Sequence, residues 1–131
     1  MVYTEKQIEL LSLALMGDKI ARKELAEKCE PLEKLESALM GKKEAIEWLL
    51  KHDKMLAAFD DGVGGNRSAV RLLIKKKEFG WAAVANYING DDDALVWLKR
   101  QGLGAFIKLA HGIRELQKHE SSKNVSLLFK P

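Results

Sequence analysis

The stretch Gly90 to Ile113, GDDDALVWLKRQGLGAFIKLAHGI, places an alanine four residues after its first glycine and a leucine four residues beyond that. The same spacing recurs upstream: Gly17, Gly41, Gly65 and Gly90 are followed by Ala21, Ala45, Ala69 and Ala94, then by Leu25, Leu49, Leu73 and Leu98. A period of about 24 residues signals stacked supersecondary units that share one core. Beside the leucines stand Trp48, Leu72 and Trp97, and beside the alanines stand Ile46, Val70 and Leu95. The first unit departs from this, with Glu24 and Arg22.

Outward from this register, each unit reads as helix, short turn, helix. Units are expected at 17–40, 41–64, 65–89 and 90–113, with a helix at 4–16 before them and an extension over 114–131 after them. The leading helix begins with a capping box, Thr4-Glu5-Lys6-Gln7, with Tyr3 and Ile8 as a staple, and continues with Ile8, Leu11, Ala14 and Leu15 at helical spacing. Such a half-unit would shield the end of a stack from water. In unit one, Asp18 is a candidate N-cap and Ile20, Ala21 and Leu25 form an apolar face. Pro31 starts the second helix of that unit. Unit three has the bulkiest second helix, Phe79, Trp81, Val84, Tyr87 and Ile88, and marks the centre of the core. The last helix is expected from Ala105 to about Glu120, where Ser121-Ser122-Lys123-Asn124 interrupts the pattern. The remaining Val125 to Pro131 is too apolar to be left in solvent and is expected to dock in cis or on another copy, which gives a route to a homo-oligomer.

Composition narrows the function classes. A 131-residue chain that is 47% hydrophobic and 31% charged suits a single domain with a continuous core. No apolar run approaches the roughly 20 residues of a membrane span, no secretory signal is evident, and the expected location is the cytoplasm. The single cysteine, Cys29, can form no internal disulfide and no cysteine-based metal site. Twenty-two basic residues against 19 acidic give only +3, so a polyanion partner would need local clustering.

Motifs with chemistry are sparse. Asp91, Asp92 and Asp93 fit the positive end of a helix and lack the alternating ligands of a calcium loop. Gly62-Val-Gly-Gly-Asn-Arg67 feeds a helix N-terminus and makes Arg67 a candidate anion ligand, but it lacks the Lys-Ser/Thr of a phosphate loop. His111 and His119 lie two turns apart, about 12 Å, too far for one metal. Trp48 and Trp97 occupy one repeat position, on the flank that faces a neighbouring unit. Lys51, Lys75 and Arg100 all stand ten residues after a boundary glycine, and with Lys76 they would form a basic stripe if units stack about 8 to 10 Å apart. Cations in the last turn of a helix also complement its dipole.

These short helical units resemble the α-solenoid class that includes HEAT and tetratricopeptide arrays, though with a shorter period. The resemblance spans Thr4 to about Glu120. It implies an all-α stack of about four hairpins that presents a surface to partners. The expected function is a protein-interaction scaffold without catalysis, cofactor or metal. The alternative is a nucleic-acid or polyanion binder acting through Lys51, Lys75, Lys76, Arg100 and Arg67.

Overall fold

The computed structural model describes the backbone from Val2 to Leu128 and the side chains from Val2 to His119. Over that range the chain is all-α: α1 (Glu5–Leu15), α2 (Lys19–Lys28), α3 (Glu30–Leu39), α4 (Lys43–His52), α5 (Lys54–Val63), α6 (Arg67–Lys75), α7 (Phe79–Ile88), α8 (Asp92–Arg100) and α9 (Gly104–Leu128). The caps predicted at Thr4 and Asp18 are present. Thr4 and Gln7 close the box around α1, with Gln7 N donating to Thr4 Oγ1 at 3.1 Å and Thr4 N donating to Gln7 Oε1 at 2.9 Å. Asp18, Asn66 and Asp91 each accept amides in the first turn of the helix that follows. Gly17, Gly41, Gly65 and Gly90 all adopt positive φ just after an odd-numbered helix, the left-handed conformation that ends a helix and that glycine reaches without a Cβ clash. This local steric demand is why the glycines keep the register.

The repeated alanines and leucines are all buried, on the inner sides of α2, α4, α6 and α8. A second register runs through the odd-numbered helices. Ile8, Leu32, Leu56, Trp81 and Phe106 form one set, and Leu11, Leu35, Phe59, Val84 and Leu109 another, all inside a single core. Within each set the spacing is 24, 24, 25 and 25 residues. The extra residue lies in the turns after α6 and α8, where Lys77 and Gly102 take the left-handed conformation.

The hairpins follow one another as the sequence implied, but the row does not stay open. α3 packs on α1, α5 on α3, α7 on α5 and α9 on α7, and α9 then lies along α1. Five inner helices thus close into a ring around the core, and each outer helix (α2, α4, α6, α8) sits against two consecutive inner ones. Gly112 makes the closure tight: a Cβ there would stand 3.1 Å from the carbonyl oxygen of Ser12. The Lys108 ammonium reaches the Glu9 carboxylate across the same seam at 3.3 Å. The leading helix is therefore an inner helix of the ring and not a lid over one open end.

Trp81 occupies the centre, as the bulk of α7 suggested. It meets Tyr3, Phe59 and Phe106 edge-on, with centroids 6.3, 4.9 and 5.2 Å away. Tyr3 joins this cluster, and its hydroxyl donates to Asp53, which also caps α5. Burial and the adjacent Asp53 carboxylate hold the Tyr3 hydroxyl far above the usual phenol range. Three expectations are corrected. Ile20 is 81% exposed, because the inner side of α2 is already supplied by Ala21 and Leu25; Phe79 is 47% exposed at the mouth of a cleft; and α9 continues as helix through Ser121–Asn124 to Leu128. The proposed docking of Val125 to Pro131 lies outside the described side chains. Among the described residues no helix is long and apolar enough to cross a membrane.

Candidate functional site: two clefts beside α6

Whether a groove opens between two outer helices depends on the inner helix beneath it. Under α2 and α4, that inner helix carries Glu33 and Lys34, and the Lys34 ammonium lies 6.0 Å over the Trp48 ring, which also stacks on His52. The corresponding residues of α5 and α7 are Ala57 and Ala58, then Ala82 and Ala83. With methyl groups in place of long side chains, a cleft opens on each side of α6.

The cleft between α6 and α8 has two connected parts. One, of about 500 Å³, is lined by Gly65, Asn66, Arg67, Val70, Arg71, Ile74, Asn86, Asn89 and Asp91. The other, of about 370 Å³, shares Ile74 and Asn86 and adds Phe79, Ala82, Ala83, Ala94 and Trp97. Trp97 is the counterpart of Trp48, but Ala83 stands where α3 has Lys34, and Trp97 remains 37% exposed. Arg67 and Arg71 stand one turn apart on one face of α6, and neither forms an ion pair among the described residues. Asp91, the acid in this lining, accepts the Asp93 amide as a helix cap. Asn89 is held by two carbonyls, donating to Gly62 O at 2.7 Å and to Ala85 O at 2.8 Å. The glycines before Arg67 have structural duties: a Cβ on Gly62 would stand 3.0 Å from Val70 Cγ2, and Gly65 takes positive φ.

The cleft between α4 and α6 encloses about 640 Å³ and has the opposite character. Its walls are Ile46, Leu50, Ala57, Ala58, Ala69 and Leu72, with Ser68, Asn66, Lys54, Asp60 and Asp61 completing the lining. Burial raises the Asp60 carboxyl to about 6, with Asp61 adding to the shift. Asp61 itself accepts from Asn66 Nδ2 at 2.7 Å.

The sequence-derived binding residues fall into two groups. Lys51, Lys75, Lys76 and Arg100 are exposed at the C-terminal ends of α4, α6 and α8. Arg67 starts α6 and is therefore about 12 Å from Lys75 along the helix axis. The stripe was expected from units packed side by side, whereas the outer helices gain their main packing from inner helices. Arg71, Asn86, Asn89 and Asp60 escaped the sequence reading. The i,i+4 spacing of Arg67 and Arg71 was a usable signal for one of them.

Compared with protein-family models, curated proteins and solved structures, the chain matches none.

Proposed function

We propose that the protein is a non-catalytic interaction module whose α6/α8 cleft receives an acidic peptide segment bearing a large apolar side chain. The observation that carries this reading is the meeting, in one cleft, of the exposed rings of Trp97 and Phe79 with Arg67 and Arg71, which form no ion pair among the described residues. Exposed aromatics and arginines are the residue types that dominate binding energy at protein interfaces. An apolar anchor would enter between Trp97, Phe79 and Ile74, and a carboxylate would meet the guanidinium pair, which offers bidentate hydrogen bonds.

The test is selection from a phage library of random peptides on the wild-type protein. Enriched sequences should pair Asp or Glu with an aromatic or large aliphatic residue. Their affinity should fall about tenfold or more on Arg67→Glu/Arg71→Glu and on Trp97→Ala, in line with interfacial hot spots. If every selected peptide is indifferent to both variants, the assignment fails.

A second reading is supported by the course of the outer helices. Lys51, Lys75, Lys76 and Arg100 stand at the C-terminal ends of α4, α6 and α8, and short turns that make each hairpin antiparallel would turn those ends, with Lys77 and Lys99, to one rim. A polyanion bound there would dissociate with salt, with a slope set by the number of cations engaged. Changing Lys51, Lys75 and Arg100 together to glutamate should abolish retention on an oligonucleotide column. Unchanged retention excludes the rim.

A further inference from the structure

The seventh residue of each inner helix α3, α5, α7 and α9 is Glu36, Asp60, Ala85 and Ala110 in turn. The outer-helix residue at the neighbouring repeat position is Arg22, Ile46, Val70 and Leu95. In the first hairpin the two are an ion pair. Glu36 is only 2% exposed, and Arg22 Nε donates to both of its oxygens, at 2.8 and 3.1 Å, while an Arg22 Nη reaches the Ala14 carbonyl at 3.2 Å. In the third and fourth hairpins both positions are apolar. The second hairpin is mismatched: it keeps the acid, one methylene shorter, and replaces the arginine with isoleucine.

Asp60 consequently lines the α4/α6 cleft beside Ile46 with no ion-pair or hydrogen-bond partner for its carboxylate among the described residues. Lys54 is in the same lining, six residues before Asp60, and forms no ion pair with it. Two carboxylates against one ammonium leave the cleft acidic. A half-buried carboxylate is solvated less well than a free one, and a cation from outside would restore what Arg22 supplies in the first hairpin. The rims are apolar and open, with Leu50 58% and Leu72 42% exposed, which suits a peptide laid across the groove.

We propose that the α4/α6 cleft binds a peptide segment that inserts an arginine, flanked by large apolar side chains, beside Asp60 in the niche that Arg22 fills in the first hairpin. This rests on the reading of the protein as an interaction module, but it assigns a second site of opposite polarity on the other side of α6. The apolar neighbours of the arginine lie against Ile46, Leu50, Ala58 and Leu72. The guanidinium is preferred to an ammonium because the internal precedent spreads its donors, with Arg22 Nε serving both oxygens of Glu36 while an Nη reaches a backbone carbonyl.

The same peptide selection tests this with different variants. Random peptides of about a dozen residues are selected on the wild-type protein, and each enriched clone is measured on Asp60→Asn, on Ile46→Arg and on Arg67→Glu/Arg71→Glu. A class of clones carrying arginine between apolar residues is expected. These should weaken roughly tenfold on Asp60→Asn, lose binding on Ile46→Arg, whose own guanidinium occupies the niche, and ignore the Arg67/Arg71 pair. Asp60→Asn, which adds no bulk, decides the matter if Ile46→Arg is shown by circular dichroism to be unfolded. The inference is overturned if no clone distinguishes wild type from Asp60→Asn. Clones sensitive only to Arg67 and Arg71 overturn it while leaving the proposed function standing, and an absence of any clone removes both.

Discussion

Gly80 lies against the ring of Phe106 so closely that a Cβ at position 80 would stand 2.5 Å from Cε2 and 2.7 Å from Cδ2. Phe106 is itself buried and held edge-on by Trp81, at 5.2 Å between centroids, which limits its retreat. Gly80→Ala should therefore destabilise the fold by about 2 to 3 kcal/mol through overpacking, against the gain in helix propensity that alanine normally brings. Gly104→Ala, with nothing within 4 Å of the added atom, should be neutral or stabilising. Urea midpoints of the two variants compare them directly. Equal midpoints would refute the contact.

The Arg22–Glu36 pair gives a second test, because the protein contains its own apolar alternative at the same repeat position. Arg22→Val alone strands a buried carboxylate and should cost about 3 kcal/mol, the low end of the range for buried pairs since the guanidinium is partly solvated. Arg22→Val/Glu36→Ala reproduces the third hairpin, Val70 with Ala85, and should recover most of that loss. A double-mutant cycle by chemical denaturation measures the coupling. Additive losses would show that the pair is not coupled.

Asp60 makes stability depend on pH in a direction opposite to that of most carboxylates. Its folded value, about 6, lies above the ordinary carboxylate value of 3.8, so the folded protein holds the proton more tightly than the unfolded chain. Its favourable contribution is complete below pH 3.8 and is lost as pH rises towards and through 6. Asp60→Asn should thus stabilise the protein at pH 8, by about 1 kcal/mol once solvent screening of the half-buried carboxylate is allowed for, and give no such gain near pH 4. Melting curves at the two pH values check this. A gain that does not grow between them would show that Asp60 is as well solvated in the fold as out of it.

The sequence by itself determined what is local. Gly17, Gly41, Gly65 and Gly90 are legible because a left-handed residue after a helix is a steric requirement met at one position. Ala21 and Leu25 and their repeats are legible because a buried helical stripe must recur every three to four residues. The caps at Thr4, Asp18 and Asp91 are equally local. Tertiary structure alone decided that α9 meets α1, since closure depends on the summed rotation between successive hairpins, a quantity no single unit contains. It also decided which of two adjacent apolar residues faces inward, leaving Ile20 in solvent while Ala21 is buried. The clefts belong to the same class. They arise because Ala57, Ala58, Ala82 and Ala83 lie beneath neighbouring outer helices, and the mismatch of Asp60 with Ile46 has meaning only because the fold sets one beside the other, 14 residues apart, as it sets Glu36 beside Arg22.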